Sequence, residues 1–570
     1  MKAVWAWLKS HYPLLVVGVT FCWSAVAIVS YRKQAVPPGV TTVLRIGHWQ
    51  LEAGVREAFN QLAAEYRKLH PEVWIVQDAI PESTYGQWMT TQLMGGTAPD
   101  ILEVGIGVPY NVLLGFYNRY FMPLTAYVNQ PNPYNAGTDF EGEAWRKTYK
   151  DGMRNGYIEE LQEFMLIPLA QFGVRIFYNK TLLKKLTGLE KPPREFREFL
   201  TACETIRKQK DERGRAYVPI TASAYHAAQW DTYMCAPLTF RAVRLVDFNR
   251  DGLVGTDELF VGLKTGRIDF DYPPFEARFR MLRHLTDQFQ SGFTGLGRDE
   301  AVFLFAQQRA VFITTGTWDA GSLEEQAKGV FELGIMDFPF PTAADPEFGA
   351  VVEGQRFERP ASSFSFALTR TCKNPEVALD FLRFLSSRRN NEELNRIIGW
   401  IPAIRGTRMS LLMSAFEPHL EGVYSTMNTT LGGETIIKWQ QVFTLFQIGQ
   451  IDYAELVRDF KPFYLGKGTA ELDEILRNRI RGMVRDEQFL AGYRAKVLAA
   501  TGAERTSREI KYHQLMTARL VVRDLGAALI RKRLAEGESS TATAPYAFSP
   551  AVIEKVRARM GMERKDGDRL

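Results

Sequence analysis

The sequence predicts an α/β protein built on a doubly wound parallel sheet, and two observations carry that prediction. Residues 92–107, QLMGGTAPDILEVGIG, read as a helix closed by a glycine pair, a proline that bars its continuation, and a short apolar strand ending in a glycine-rich loop. Upstream, apolar runs at 43–47 and 73–76 flank an amphipathic segment, so the order is strand, helix, strand, helix, strand. Ligands of such sheets sit beyond the carboxyl ends of the strands, which turns Glu103 and the loop 105–107 toward an expected cleft.

The chain has 570 residues, enough for two or three compact units. Its 70 Lys and Arg nearly balance 65 Asp and Glu, and the basic excess lies in the C-terminal tail, which argues against a nucleic-acid partner. Four cysteines do not make a disulfide framework. Buried thiols are expected, with a Cys203–Cys235 bridge the alternative in an oxidising compartment.

Residues 14–29 carry no charge and are preceded by Lys2 and Lys9 and followed by Arg32 and Lys33. Two readings are open: a membrane anchor with Trp5, Trp7, Trp23 and Tyr31 near the interfaces, or a signal peptide cleaved after Ala25-Val26-Ala27. Both export the body, with the anchor placing it on the periplasmic or extracellular side of the inner membrane. Residues 34–41 then form a linker.

The first strand ends in His48, Trp49 and Gln50. The helix predicted over 52–69 places Val55, Phe59, Leu62, Tyr66 and Leu69 on one face, and Pro71 ends it. Residues 165–179, MLIPLAQFGVRIFYN, read as two strands with Gln171 in the intervening turn as a candidate polar contact. Helices follow at 180–189 and 192–208. The stretch 221–239 holds Tyr225, His226, Trp230 and Tyr233; Tyr225 and Trp230 suit either a sugar platform or the core, and His226 has no partners at metal-ligand spacing.

Residues 247–258, DFNRDGLVGTDE, fit a calcium-loop pattern at every constrained position. Asp247, Asn249 and Asp251 would give side-chain oxygens, Leu253 its carbonyl, Gly255 a water-bridged position and Glu258 a bidentate carboxylate. A single loop of this kind predicts a structural Ca2+, against the bland alternative of a solvated Asn/Asp/Gly turn.

Further on, a helix over 301–309 and a strand over 310–314 lead into TTGTWDAGSLEEQ. Gly316 is expected to turn the backbone, Trp318 to project past the strand end, and a helix to open near Ser322 beside Asp319. An aromatic face beside polar groups suits a pyranose. A strand over 331–336, PASSFSFA at 360–367, a helix over 374–386, GWIPAIRG at 399–406 and an amphipathic stretch bearing Trp439 complete the body. Residues 507–536 form a basic helical stretch that either packs back on the body or lies on a membrane surface.

These segments, from 43 to 405 and more weakly to about 493, resemble the extracellular solute-binding proteins that serve sugar-type ABC importers. The resemblance implies a two-lobed periplasmic-binding-protein-like fold of type II with the ligand cleft between the lobes. The division expected is 42–130 plus 300–358 for lobe 1 and 131–299 plus 359–500 for lobe 2, with 1–33 the export segment and 501–570 a basic tail. It also implies that His48, Trp49, Gln50, Glu103, Gln171, Trp230, Trp318, Asp319 and Trp439 line the cleft, and that a sugar or oligosaccharide and ABC permease subunits are the partners. Such a protein catalyses nothing. Two other classes fit the sequence: an exported carbohydrate enzyme using a pair among Glu52, Glu103, Asp319 and Glu353, and a tethered sugar sensor. No nucleophile elbow, phosphate loop, zinc motif or dinucleotide fingerprint is present in the sequence.

Overall fold

Ten strands form two sheets in a computed structural model that describes residues 36–536 apart from 52–53, 249–253, 361, 425–429 and 521–525, together with 18, 20–24 and 26. In chain order they are β1 Thr42–His48, β2 Val73–Ala79, β3 Ile101–Glu103, β4 Ile167–Gln171, β5 Val174–Asn179, β6 Val218–Thr221, β7 Ala310–Gly316, β8 Leu333–Met336, β9 Ser362–Leu368 and β10 Ile401–Pro402. Lobe 1 holds the six-stranded sheet β10-β4-β9-β3-β1-β2, and lobe 2 the four-stranded sheet β8-β5-β7-β6.

The start of lobe 1 follows the sequence closely. The helix Val55–Leu69 buries Val55, Phe59, Leu62 and Tyr66 under parallel β2, β1 and β3. The helix Glu82–Gly95 ends at Gly96, which takes the left-handed conformation at φ 68°. Beyond β3 the sheet is mixed: β9 runs antiparallel to β3 and to β4. The expected all-parallel sheet thus holds only for its first three strands, because β4 leaves for the other lobe and β9 returns from it, and both join the sheet antiparallel to their neighbours.

The crossing segments also redraw the expected division. β7 was placed with lobe 1, yet it pairs with β5 and β6 of lobe 2. β9, β4 and β10 were placed with lobe 2, yet all belong to the sheet of lobe 1, and the helices Pro375–Leu385 and Arg388–Ile398 contribute to the same core. The two cores meet at the crossing, where Trp318 packs against the core of lobe 1 and Ile401 joins a cluster with Phe177 and Phe416.

The C-terminal helices belong to the body. The helix Tyr453–Ala499 has 47 residues and is about 70 Å long at 1.5 Å per residue. Its Leu456, Phe460, Tyr464, Leu472 and Leu476 enter the core of lobe 2. From the helix Gly502–Arg519, Lys511 pairs with Glu163 of lobe 1 at 3.1 Å, and Ala527 and Ile530 of the helix Gly526–Glu536 return to the core of lobe 2. Of the two expectations for this basic stretch, packing on the body is the one observed. Most of the apolar run at 14–29 lies outside the described residues; Phe21, Trp23 and Val26 within it are helical and exposed. Among the described residues no helix is long and apolar enough to cross a membrane. Cys203 and Cys235 are free, buried thiols, so the bridge weighed above does not form.

Candidate ligand cleft

The wall contributed by lobe 1 is a compact cluster at the ends of β1 and β3. Glu103 is fully buried; it accepts a hydrogen bond from Gln50 Nε2 at 2.6 Å and one from the Trp49 amide at 3.3 Å. The Tyr85 hydroxyl donates to the Glu103 carbonyl at 2.6 Å, and the Tyr85 ring meets Trp49 edge-on at 5.1 Å. Trp49 is partly exposed, and its ring reaches over Gly105, whose missing Cβ would lie 3.6 Å away. A Cβ on Gly86 would fall 2.3 Å from the Gly107 carbonyl, so helix and loop touch through glycine alone. His48 is buried and bonded through Nε2 to Gln77 at 3.1 Å; burial lowers its pKa, and the bond to Gln77 opposes that fall. His48, Trp49, Gln50 and Glu103 are therefore gathered as expected.

The floor is where the chain crosses between lobes. β4 passes into β5 through Phe172 and Gly173 alone, and the Thr317 amide donates back to the Gly173 carbonyl at 3.0 Å. Gln171 is the last residue of β4, not a turn residue, and pairs with Ser362 of β9. Gln171 Nε2 and Ser362 Oγ are buried with no hydrogen-bond partner among the described residues. Leaving such groups unpaired costs about 1–3 kcal/mol each, so the floor favours a polar occupant.

The wall of lobe 2 departs further from expectation. Gly316 is extended (φ −102°, ψ 179°), and the helix begins at Thr317 instead of near Ser322. Position 316 requires glycine because the Trp318 ring occupies its Cβ space at 2.3 Å. That ring stands edge-on to Phe172 at 5.7 Å, and Phe172 stands edge-on to the buried Trp400 at 5.0 Å. Trp318 thus packs the crossing and keeps part of its surface exposed. Asp319 accepts from Thr315 Oγ1 and lies 3.6 Å from Arg298; burial raises its pKa, and Arg298 opposes that rise. Nearby, His226 is pushed down to about 4 by burial and by Arg298, and burial pushes the Tyr225 phenol up to about 12. Tyr225 also feels the charge of Glu82, which belongs to lobe 1, so the two walls face each other here.

Two expected platforms are not in the cleft. Trp230 is fully buried between Phe199 and Phe338, at the end of the helix Ala224–Trp230 where a π-helical turn, Asp231–Cys235, follows. Trp439 packs with Phe279, Phe443 and Phe460 in the outer core of lobe 2, against the long C-terminal helix. Of the carboxylates considered for catalysis, Glu103 belongs to lobe 1, Asp319 to lobe 2, Glu353 pairs with Arg241, and Glu52 lies outside the described residues.

Sequence reasoning missed a ladder of rings and guanidinium groups at the edge of lobe 2. Tyr233 stacks on Phe338 with centroids 4.8 Å apart and planes 6° apart. Arg356 lies 5.0 Å from the Tyr233 ring and 5.8 Å from Tyr424, and Arg359 lies 5.7 Å from Tyr424. Beneath it Arg175, 1% exposed, holds Glu358 by two bonds of 2.7 and 2.8 Å and Asp337 at 2.9 Å. No local spacing announces this ladder, since its members come from four segments.

At the predicted calcium loop, Asn249, Asp251 and Leu253 lie outside the described residues. The described ends are close: Glu258, 3% exposed, accepts from the amides of Phe248 at 3.0 Å and Gly255 at 2.9 Å, and Val254 is buried. Among the described residues no group of three or more His, Cys, Asp or Glu is placed to hold a metal.

A family model described as bacterial extracellular solute-binding protein matches residues 52–392. The chain is 22% identical over 410 residues to the multiple sugar-binding protein of Streptococcus mutans serotype c, spanning 70% of this chain and 84% of that protein. The GacH receptor of Streptomyces glaucescens, solved unliganded and with acarbose, has a TM-score of 0.53 at 14% identity over 76% of this chain and 98% of its own. A chitin oligosaccharide binding protein gives 0.51 at 14% identity over 76% of this chain and 100% of its own. At these identities the solved structures establish the two-lobed fold.

Proposed function

The chain belongs to the bacterial extracellular solute-binding protein family, and from that premise we propose that it binds a sugar or oligosaccharide between its lobes and delivers it to the permease of an ABC importer. The observation that carries this reading is the Trp49, Gln50 and Glu103 cluster, a partly exposed indole beside fixed polar groups, facing Tyr225 and Asp319 across the crossing strands. A ring face supplies apolar area while flanking polar groups orient hydroxyls. Closure of two lobes about short crossing segments would then present a new surface to the permease. Residues 14–29 would tether the protein outside the inner membrane, which retention in the membrane fraction after alkaline washing tests. For the function itself, a glycan panel read by thermal shift should raise the Tm with at least one saccharide and return that saccharide unchanged. Turnover of the bound glycan would favour the enzyme instead.

The loop 247–258 would hold a structural Ca2+ beside this machinery. What supports that reading is the residue pattern together with Glu258, whose carboxylate draws both loop ends together. Saturation at 100- to 1,000-fold above Kd would add about 2.7–4.1 kcal/mol by mass action. Chelation should lower the Tm of the wild type and have less effect on Glu258→Gln. Equal melting in calcium and chelator would leave only a solvated turn.

A further inference from the structure

We propose that the ligand is an anionic saccharide, one carrying uronate carboxylates, recognised by Arg356 and Arg359 at the edge of lobe 2. This deepens the sugar-binding reading and rests on it. Four observations lead there.

The ladder stands at the cleft edge. β5 begins at Val174 directly after the crossing and pairs with the end of β7, and Arg175 reaches Asp337, the residue after β8, and Glu358. The segment bearing Arg356 and Arg359 returns to lobe 1 at Ser362, the partner of Gln171 on the floor. Arg359 is three residues from Ser362, so at about 3.3–3.6 Å per residue its backbone is within roughly 11 Å of that floor.

Its rings and cations alternate. Phe338, Tyr233, Arg356, Tyr424 and Arg359 follow one another, each guanidinium 5.0–5.8 Å from a ring centroid. A contact of a guanidinium with a ring uses none of its N–H donors, so apart from the one Arg356 gives to Thr232 they are left for a carboxylate.

The two guanidinium groups carry no carboxylate partner among the described residues. Arg356 donates to the Thr232 carbonyl at 3.2 Å, and the neighbouring acids are engaged elsewhere: Glu358 and Asp337 with Arg175, Asp337 also with His419, and Glu353 with Arg241. A neutral sugar makes no use of two uncompensated cations, whereas a uronate satisfies both charge and geometry.

Finally, the exposure runs in the useful direction. Phe338, Tyr233, Arg356 and Tyr424 are half-buried, and Arg359 is exposed at the end of the series. The inner members are fixed and the outer one is free to meet a ligand.

The test uses the full-length chain with two probes of equal length and linkage, α-1,4-trigalacturonate and neutral α-1,4-galactotriose, in calorimetry at low and high salt. The acid should bind at least about 10-fold tighter, with its advantage falling as salt rises. Arg359→Gln, an exposed change, should reduce that advantage about 10-fold while the neutral sugar is unaffected. Arg356→Lys keeps the charge but not the planar stack and should also erode the advantage. A purely structural ladder would lower the affinity of both sugars together, leaving their ratio unchanged, and that result overturns the proposal. Equal binding of acid and neutral sugars overturns it while the sugar-binding reading stands. No binding of either probe or of any member of the glycan panel removes the sugar-binding reading and this proposal with it.

Discussion

On the wall of lobe 1, His48, Trp49 and Gln50 are consecutive, and one strand pairing brings Glu103 to them. On the wall of lobe 2, Tyr225, Asp319, Arg356 and Tyr424 come from four segments spread over about 200 residues; Arg298 lies beside Asp319, and the buried guanidinium of Arg175 ties Asp337 and Glu358 beneath Arg356. The first wall is fixed by its own strand ends and could tolerate changes elsewhere in the chain. The second depends on long-range ion pairs, and it carries the variable chemistry: three arginines and several carboxylates against a single buried carboxylate opposite. A scaffold of this kind keeps one wall constant and sets ligand charge on the other.

The largest effect should come from breaking the support of the second wall. Arg175→Met leaves Glu358, only 13% exposed, without its cation and frees the carbonyls of Ala415 and Glu417, which Arg175 also binds. The expected loss is about 3–5 kcal/mol in urea denaturation. The corresponding change in lobe 1, Arg45→Met, removes an exposed pair with Asp78 and should cost no more than about 1 kcal/mol. Similar losses from both would show that the two walls are not supported differently.

The next effect is smaller and sharpens the contrast. Glu103→Ala strips Gln50 and the Trp49 amide of their acceptor, so about 1–3 kcal/mol of stability should go, with a parallel loss of saccharide affinity. Glu103→Gln keeps an acceptor and should recover most of the stability. Because the cluster is self-contained, neither change should alter the preference between acidic and neutral sugars. A shift in that preference would mean that the walls act as one unit.

What was legible in the sequence follows the same divide. The helix closed by Gly96, the parallel start of the sheet and the cluster around Trp49 are set by contacts close in sequence or by neighbouring strands, and periodicity and glycine placement report such contacts. Lobe membership of β7 and β9 was misread because it is decided by pairings such as Ser362 with Gln171, which lie far apart in the chain and leave no periodic trace. Trp230 suits platform or core by residue type, and the resemblance points both it and Trp439 to the cleft; packing decides for the core, since each joins a ring cluster of lobe 2. Gly316 was correctly singled out for the wrong reason. Its dihedral angles suit any residue, and only the Trp318 ring two positions on excludes a side chain. The Arg356 ladder was not legible at all, because the rings that stack on its guanidinium groups are supplied by separate segments.

The smallest effect concerns protons at the foot of that ladder. His419 lies 3.0 Å from Asp337, the same carboxylate that Arg175 holds, and its amide donates to Glu358 at 3.1 Å. The hydrogen bond to Asp337 raises the His419 pKa, while burial and Arg175 oppose the rise without cancelling it. Asp337 shifts the other way: burial pushes it up, but His419 and Arg175 prevail and lower it. A histidine with a raised folded pKa contributes stability that is complete below its ordinary value near 6.5 and is lost as pH climbs through the folded value. The lowered Asp337 contributes above its ordinary value near 3.8 and loses that only in acid. Between pH 6 and 8, therefore, only the histidine changes, and the contact between Asp337 and the segment at His419 should weaken as pH rises. Both side chains are substantially exposed, so solvent screening holds the effect to less than about 1 kcal/mol. The measurement is the difference in Tm between wild type and His419→Gln across that range, which removes the contributions of the other histidines. The wild-type advantage should shrink from pH 6 to pH 8, together with a falling protection factor, relative to the intrinsic exchange rate at each pH, for the His419 amide, whose N–H donates to Glu358. A constant difference would mean that Arg175 alone fixes this corner of the second wall and that the proton on His419 takes no part.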